Sequence, residues 1–305
     1  MSERLLVVGE ALVDIVTDAT GQRAEHVGGS PANVAVGLAR LGHPVDFACC
    51  LGHDPRGTRI SNYLSSHGVT VLPESFGDQP TSTALAMVDD TGAATYEFDL
   101  HWNLPALSVD PQTVHVHTGS IGAVLAPGAT SVKAALRAVR ERGTVSYDPN
   151  IRPGIMGDLA AVRERVEELV ALSDVVKASE DDLALLYAES SPEEVMADWV
   201  RLGAALVVVT LGADGVIFRV SADQTVGSAP TRADHVVDTV GAGDSFMAGL
   251  VSGLMVGRLI GGPAARARLR EATLVQVEPA VTRGLSTSAV TVGKSGAYAP
   301  SLDEL

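Results

Sequence analysis

Short apolar runs alternate along the chain with stretches whose apolar positions recur every three to four residues. Residues 5–8, 45–51, 113–118, 144–147, 175–178 and 206–210 read as strands, apolar throughout at 5–8 and mixed with polar residues such as His115, His117 and Ser146 at 113–118 and 144–147. Runs of that length suit strands covered on both faces, as parallel sheets require. Between them lie helical patterns. Over 30–41 the apolar residues at 34, 38 and 41 form one stripe, which Ser30 and Pro31 open and Gly42 closes. A helix over 60–67 ends at Gly68, and one over 129–142 ends at Gly143. The 160–172 stretch carries its charges on one face. Ser179-Glu180-Asp181-Asp182 has capping-box spacing for a helix over 180–188, and Ser191-Pro192-Glu193-Glu194 opens another. Helical patterns over 264–272 and 280–292 complete the series. Strands alternating with helices predict an α/β fold, a doubly wound and mostly parallel sheet flanked by helices, in one domain over 1–305.

The 80–104 segment breaks this rhythm. Strand patterns at 83–88 and 94–98 flank Asp90-Thr91-Gly92, a hairpin signal. A β-rich hairpin interrupted by turns is expected there, unlike the rest of the chain.

Composition narrows the partners. Of 305 residues 46% are hydrophobic, which gives ample core, and the net charge is −15, with 22 Lys+Arg against 37 Asp+Glu. So acidic a chain is a poor partner for nucleic acid or an anionic membrane. A polyanion such as ATP would need helix ends, a few basic residues and a metal. Cys49 and Cys50 are adjacent in an apolar run, a pattern that predicts reduced thiols and a cytoplasmic protein. The chain opens on a strand pattern rather than a basic-then-apolar leader. His115 and His117 share a strand face, yet no third ligand accompanies them, so zinc is not expected.

The chemistry gathers at glycine turns. Val236 and Val237 lead into Gly241-Ala242-Gly243, then Asp244, then an apolar helical run over 246–256. A helix start with glycines is an anion cradle. Asp244 at its mouth is either a base that takes a proton from an attacking hydroxyl or a cap for the helix. Gly28-Gly29 forms a second such turn. Asp14 follows the first strand's C-terminal end, where open α/β sheets bind ligands, or it is a solvated turn residue. Asp148-Pro149-Asn150-Ile151-Arg152-Pro153 puts a carboxylate, an amide and a guanidinium at another strand end. Those groups suit hydroxyls or a carboxylate, or simply hold their own loop.

Asp238-Thr239-Val240-Gly241-Ala242-Gly243-Asp244-Ser245-Phe246 resembles the C-terminal signature of the PfkB (ribokinase-like) carbohydrate kinases. Gly28-Gly29-Ser30-Pro31-Ala32-Asn33-Val34-Ala35 resembles their N-terminal signature, most closely that of fructokinases. Asp148 to Arg152 resembles the Asp-x-Asn-x-Arg element of fructokinases and 2-keto-3-deoxygluconate kinases. The resemblance implies that Asp244 is the catalytic base and that Gly241, Ala242 and Gly243 form the anion hole. It implies sugar contacts from Asp14, Gly28, Gly29, Asn33 and Arg152. Lys177, Ser179, Thr210, Gly212, Gly215 and Gly243 fall on its nucleotide side. Where the family often has Asn-x-x-Glu near the metal, this chain has Ser179 and Asp182, which leaves Asp182 as the metal-side residue and equally as a cap. Asp238 is placed beside a monovalent cation.

ATP, Mg²⁺ and K⁺ are the expected cofactors and a sugar the expected acceptor, with fructose preferred over 2-keto-3-deoxygluconate and ribose. The segments 12–27 and 80–104 are expected to form a lid, through which two copies would pair. His101-Trp102-Asn103 would then be a lid contact or simply packed. A catalytically silent sugar or nucleotide binder is the alternative of another class, which the presence of Asp244 opposes. An NAD-dependent dehydrogenase lacks its glycine motif after the first strand.

Overall fold

The computed structural model describes residues 3–17, 22–88 and 94–305. Among them, nine strands form one sheet in the order Gly227–Ala229, Val216–Val220, Leu206–Thr210, Val175–Ser179, Thr144–Asp148, Thr113–Gly119, Arg4–Val8, Val45–Ala48, Val69–Val71. The last seven of these run parallel, and Val216–Val220 and Gly227–Ala229 join antiparallel at one edge. The apolar runs become strands because helices cover both faces. Leu5 and Val7 belong to one core, with Phe246 and Leu250 from the helix Ala242–Val256. Leu6 and Val8 belong to the other, with Leu136 and Trp199 from the helices Gly128–Arg140 and Pro192–Leu202.

The strand order locates the site. From Arg4–Val8 the chain moves outward to 45–48 and 69–71, then returns to 113–119 on the other side. Order therefore reverses between Arg4–Val8 and Thr113–Gly119, where a crevice opens at the C-terminal ends. Glu10 and Ser120 stand at that reversal.

A second sheet has the order Arg23–Gly28, Leu12–Thr17, Thr83–Val88, Ala94–Asp99. Its outer pairs are antiparallel and its central pair is parallel. The 12–27 and 80–104 segments thus join in one small sheet; the Asp90-Thr91-Gly92 turn lies outside the described residues. Trp102 is packed rather than presented to a ligand, its Nε1 donating to the Gly122 carbonyl at 2.9 Å.

Several boundaries differ from the pattern reading. The 45–51 run divides at Cys49-Cys50, and Leu51–Gly52 pairs with Phe76–Gly77. Both cysteines are free thiols. The helix read from residue 60 is Pro55–Ser66, because Asp54 caps it by accepting from Gly57 N at 2.8 Å. Pro279 hid the first turn of the last long helix, Leu274–Val292, which Thr273 and Gln276 close with a capping box. Ser30 is the first helical residue of Ser30–Arg40, not its cap; Gly29 holds that place.

His115 and His117 are buried. His115 pairs with Thr144 Oγ1 and Ser146 Oγ, both at 2.9 Å, and His117 Nδ1 with the same Ser146 Oγ at 3.0 Å. Burial pulls both imidazoles down to about 3, so they are neutral structural groups. No helix among the described residues is long and apolar enough to cross a membrane.

Candidate active site

The helix Ala242–Val256 begins earlier than its apolar run, so Asp244 lies inside its first turn. Gly241 is the N-cap, with φ +75°. Glycine takes that left-handed conformation without penalty, and a Cβ there would also sit 2.6 Å from the Ala297 Cβ. Asp244 does not cap the helix, which has no side-chain cap. Its carboxylate turns instead to the start of Ser30–Arg40. Oδ1 accepts from Ser30 Oγ at 2.6 Å and Oδ2 from Asn33 Nδ2 at 2.8 Å. Small residues permit the approach, since a Cβ on Gly37 would come 2.6 Å from the Ala248 Cβ. Burial raises the Asp244 pKa, opposed by the bonds from Ser30 and Asn33 and by the charges of Lys177 and Arg152.

Two cavities meet at this helix start. One, of about 760 Å³, is lined by Asp14, Gly29, Asn33, Arg152, Gly241 and Asp244 among others. The second, of about 430 Å³, is lined by Thr210, Gly212, Gly215, Ala242, Phe246 and Leu285 among others. Thr239 and Gly243 line both. A group bound at the 241–243 turn therefore faces both compartments, with Asp244 on one side.

The structure assigns distinct tasks to the Gly28-Gly29 pair. Gly29 reaches the first cavity at φ +107°, and a Cβ on it would come 2.6 Å from the Glu10 carbonyl oxygen. Gly28 does not line the cavity; a Cβ there would overlap the Asp14 carboxylate, so it makes room for Asp14. Burial raises the Asp14 pKa, partly offset by His26 on the neighbouring strand.

The pfkB family carbohydrate kinase profile matches residues 2–304. The chain belongs to the pfkB carbohydrate kinase family. It is 35% identical over 266 residues to a fructokinase of Klebsiella pneumoniae, covering 83% of this chain and 85% of that one. Among solved structures it is similar to a double mutant of Vibrio cholerae fructokinase bound to fructose, ADP and potassium ion. That likeness has TM-score 0.81 and 28% identity, over 99% of this chain and 96% of the other. Aminoimidazole riboside kinase of Salmonella enterica, complexed with aminoimidazole riboside and an ATP analogue, matches with TM-score 0.78 and 26% identity over 99% and 98% of the chains. As a pfkB carbohydrate kinase, the protein is a phosphotransferase acting on a sugar hydroxyl.

Three residues of this pfkB kinase expected on the nucleotide and metal side line the larger cavity or neither cavity. Lys177, expected on the nucleotide side, lines the larger cavity beneath the anion hole, where a Cβ on Gly243 would come 2.9 Å from its Nζ. It donates to Asp148 Oδ2 at 2.9 Å in a buried ion pair. Burial pushes the Asp148 carboxyl up to about 6 despite Lys177, and Asp148 Oδ1 has no hydrogen-bond partner among the described residues. Burial lowers the Lys177 pKa, but Asp148, Asp182 and Asp244 outweigh it and the net direction is upward.

Ser179 and Asp182 form a capping box and line neither cavity. Asp182 Oδ1 accepts from Ile151 N at 2.6 Å, and Oδ2 from Ser179 N and Oγ at 2.9 and 2.7 Å. These bonds tie the end of Val175–Ser179 to the loop that carries Arg152. Asp238 accepts from Val240 N at 3.0 Å and from Gly296 N at 2.8 Å, bonds that lower its pKa and hold the 294–297 loop against Gly241. Among the described residues no group of three His, Cys, Asp or Glu side chains is arranged to hold a metal ion.

Glu10 and Ser30 line the larger cavity but were not read from sequence as site residues. Glu10 carried the same signal as Asp14, a carboxylate just past a strand end. Ser30 was absorbed by its resemblance to a cap.

Proposed function

We propose that this pfkB kinase is an ATP-dependent fructokinase with Asp244 as its base. The observation that carries the reading is the placement of Asp244 beside a helix N-terminus shared by two cavities. Fructose occupies the larger cavity, held by Asp14, Asn33 and Arg152, and ATP the smaller, along Thr210, Gly212 and Gly215. Asp244 accepts the proton as the sugar oxygen bonds to the γ-phosphorus, and the bond to the β–γ bridging oxygen breaks to release ADP. Backbone N–H groups of the 241–243 turn face the charge that builds on the phosphoryl oxygens, the Ala242 N–H also donating to the Thr239 carbonyl at 3.2 Å. Lys177 adds a positive charge under them. Positioning and charge stabilisation are most of what phosphoryl transfer asks of a protein.

Mg²⁺, when bound, neutralises charge on the β- and γ-phosphates. The donor set fits a metal carried on the nucleotide with its waters rather than a protein cage, since Asp182 has both oxygens engaged. Asp238 likewise has both oxygens engaged, by Val240 N and Gly296 N, so toward a monovalent cation such as K⁺ its part would be to hold the 294–297 loop beside it.

The acceptor choice rests on the relatives named fructokinase and on charge. Glu10, Asp14 and Asp244 share the larger cavity, while Lys177 is already paired with Asp148, leaving Arg152 as the cation for a ligand. A neutral ketohexose suits that balance better than a keto-acid. The small sheet is read as a lid, with Phe98 and Ala84 on the cavity wall, and as the surface through which two copies pair in the cytoplasm. A coupled ADP-release assay over about a dozen sugars tests the assignment. The highest kcat/KM is expected with fructose; efficient use of 2-keto-3-deoxygluconate with little use of fructose would overturn it.

A further inference from the structure

Glu10 has no part in the transfer just described, yet the cleft is built around it. It leaves the strand Arg4–Val8 where the strand order reverses, lines the larger cavity, and is 7% exposed. Its Oε2 accepts from Gly122 N at 2.9 Å. Two glycines make room for it. A Cβ on Gly122 would stand 2.8 Å from Oε2, and one on Gly29 2.6 Å from the Glu10 carbonyl oxygen. Ser120, whose hydroxyl bonds the carboxyl, holds the left-handed φ of +56° that non-glycine residues avoid. Strain of that kind collects at functional sites.

The partners of the Glu10 carboxyl are N–H and O–H donors rather than a cation. Burying a carboxyl without a cation is costly, and the bonds from Gly122 N, the Ser120 hydroxyl and the Glu10 N–H offset only part of that cost. What would satisfy it is a ligand rich in hydroxyl donors, in the cavity it already faces. We propose that Glu10 is an acceptor-binding residue whose carboxyl hydrogen-bonds sugar hydroxyls and so sets where the reacting hydroxyl meets Asp244. This rests on the kinase reading above. Burial, with Asp244 adding to it, pushes the carboxyl up to about 7 against the bonds from Ser120 and Gly122. Near neutral pH it is thus both donor and acceptor, as a polyol requires.

Two variants separate binding from scaffolding. Glu10→Gln keeps the size and, through its amide oxygen, the bond from Gly122. Glu10→Asp keeps the charge but withdraws it by one methylene. Both are compared with wild type on whichever sugar the wild type phosphorylates best, so failure of fructose as acceptor is seen separately. Each variant is expected to raise the sugar KM about tenfold, the scale of one hydrogen bond to a charged group. The ATP KM should stay within about twofold, and the melting temperature of Glu10→Gln should not fall below that of wild type. Sugar-induced melting shifts without ATP should shrink in parallel. A sugar KM and melting shift like wild type in both variants would overturn the proposal. So would sugar and ATP KM values rising together with a fall in melting temperature, the signature of a structural pin.

Discussion

The Asn33 amide donates to Asp244 Oδ2 at 2.8 Å, a contact between residues 211 positions apart. It joins the two glycine-turn motifs in one hydrogen bond. With Ser30 on the other oxygen, the carboxylate is aimed before any substrate arrives. Asn33 therefore has work in orienting the base as well as in meeting a sugar.

Asn33→Asp tests that orientation without changing shape. It sets a second carboxylate within hydrogen-bond range of Asp244, and like charges at that range raise a carboxyl pKa. The acidic limb of the pH profile of kcat/KM should move to higher pH, because a base must be ionised to act. A limb at its wild-type position would mean that Asp244 is not the group titrating there.

Glu10 gives a stability prediction with a definite sign. Its carboxyl is pushed up to about 7 in the folded protein, from an ordinary value of 4.5. A raised carboxyl stabilises the fold below its unfolded value, and that stability is lost as pH rises through the folded value. Wild type should therefore lose stability relative to Glu10→Gln between about pH 4.5 and pH 8, by roughly 3 kcal/mol at most. Urea denaturation of the ligand-free proteins reads the difference; a constant gap across that range would contradict it.

The small sheet carries a prediction about motion. If it closes over the acceptor, fructose should slow amide hydrogen exchange in the strands Leu12–Thr17 and Thr83–Val88 more than ATP does. Equal protection by the two ligands would remove the lid assignment while leaving the active site as described.

The fold was legible because apolar runs such as 5–8 and 206–210 alternate with helical patterns and its turns are marked by glycine. Gly241 and Gly29 are read correctly from sequence for a physical reason: each has positive φ and a neighbour within 2.6 Å of any added Cβ. What escaped depends on contacts between distant segments. No local pattern says that Asp244 faces Asn33 rather than its own helix end, or that Lys177 lines the larger cavity and pairs with Asp148. The Ser179–Asp182 spacing was legible as a cap, and the structure keeps it as one. The start of Pro55–Ser66 was hidden because Asp54 and Pro55 read equally well as a loop.

The central claim is that Asp244 takes the proton from the acceptor hydroxyl. Asp244→Asn keeps the side chain's shape but removes its basicity. Kinetics of the variant at saturating ATP and fructose, with binding of each ligand followed by calorimetry, is the direct measurement. If Asp244 is the base, kcat falls about 10²- to 10⁴-fold with both affinities nearly unchanged. A fall of less than about tenfold would contradict it and leave Asp244 as a structural partner of Ser30 and Asn33.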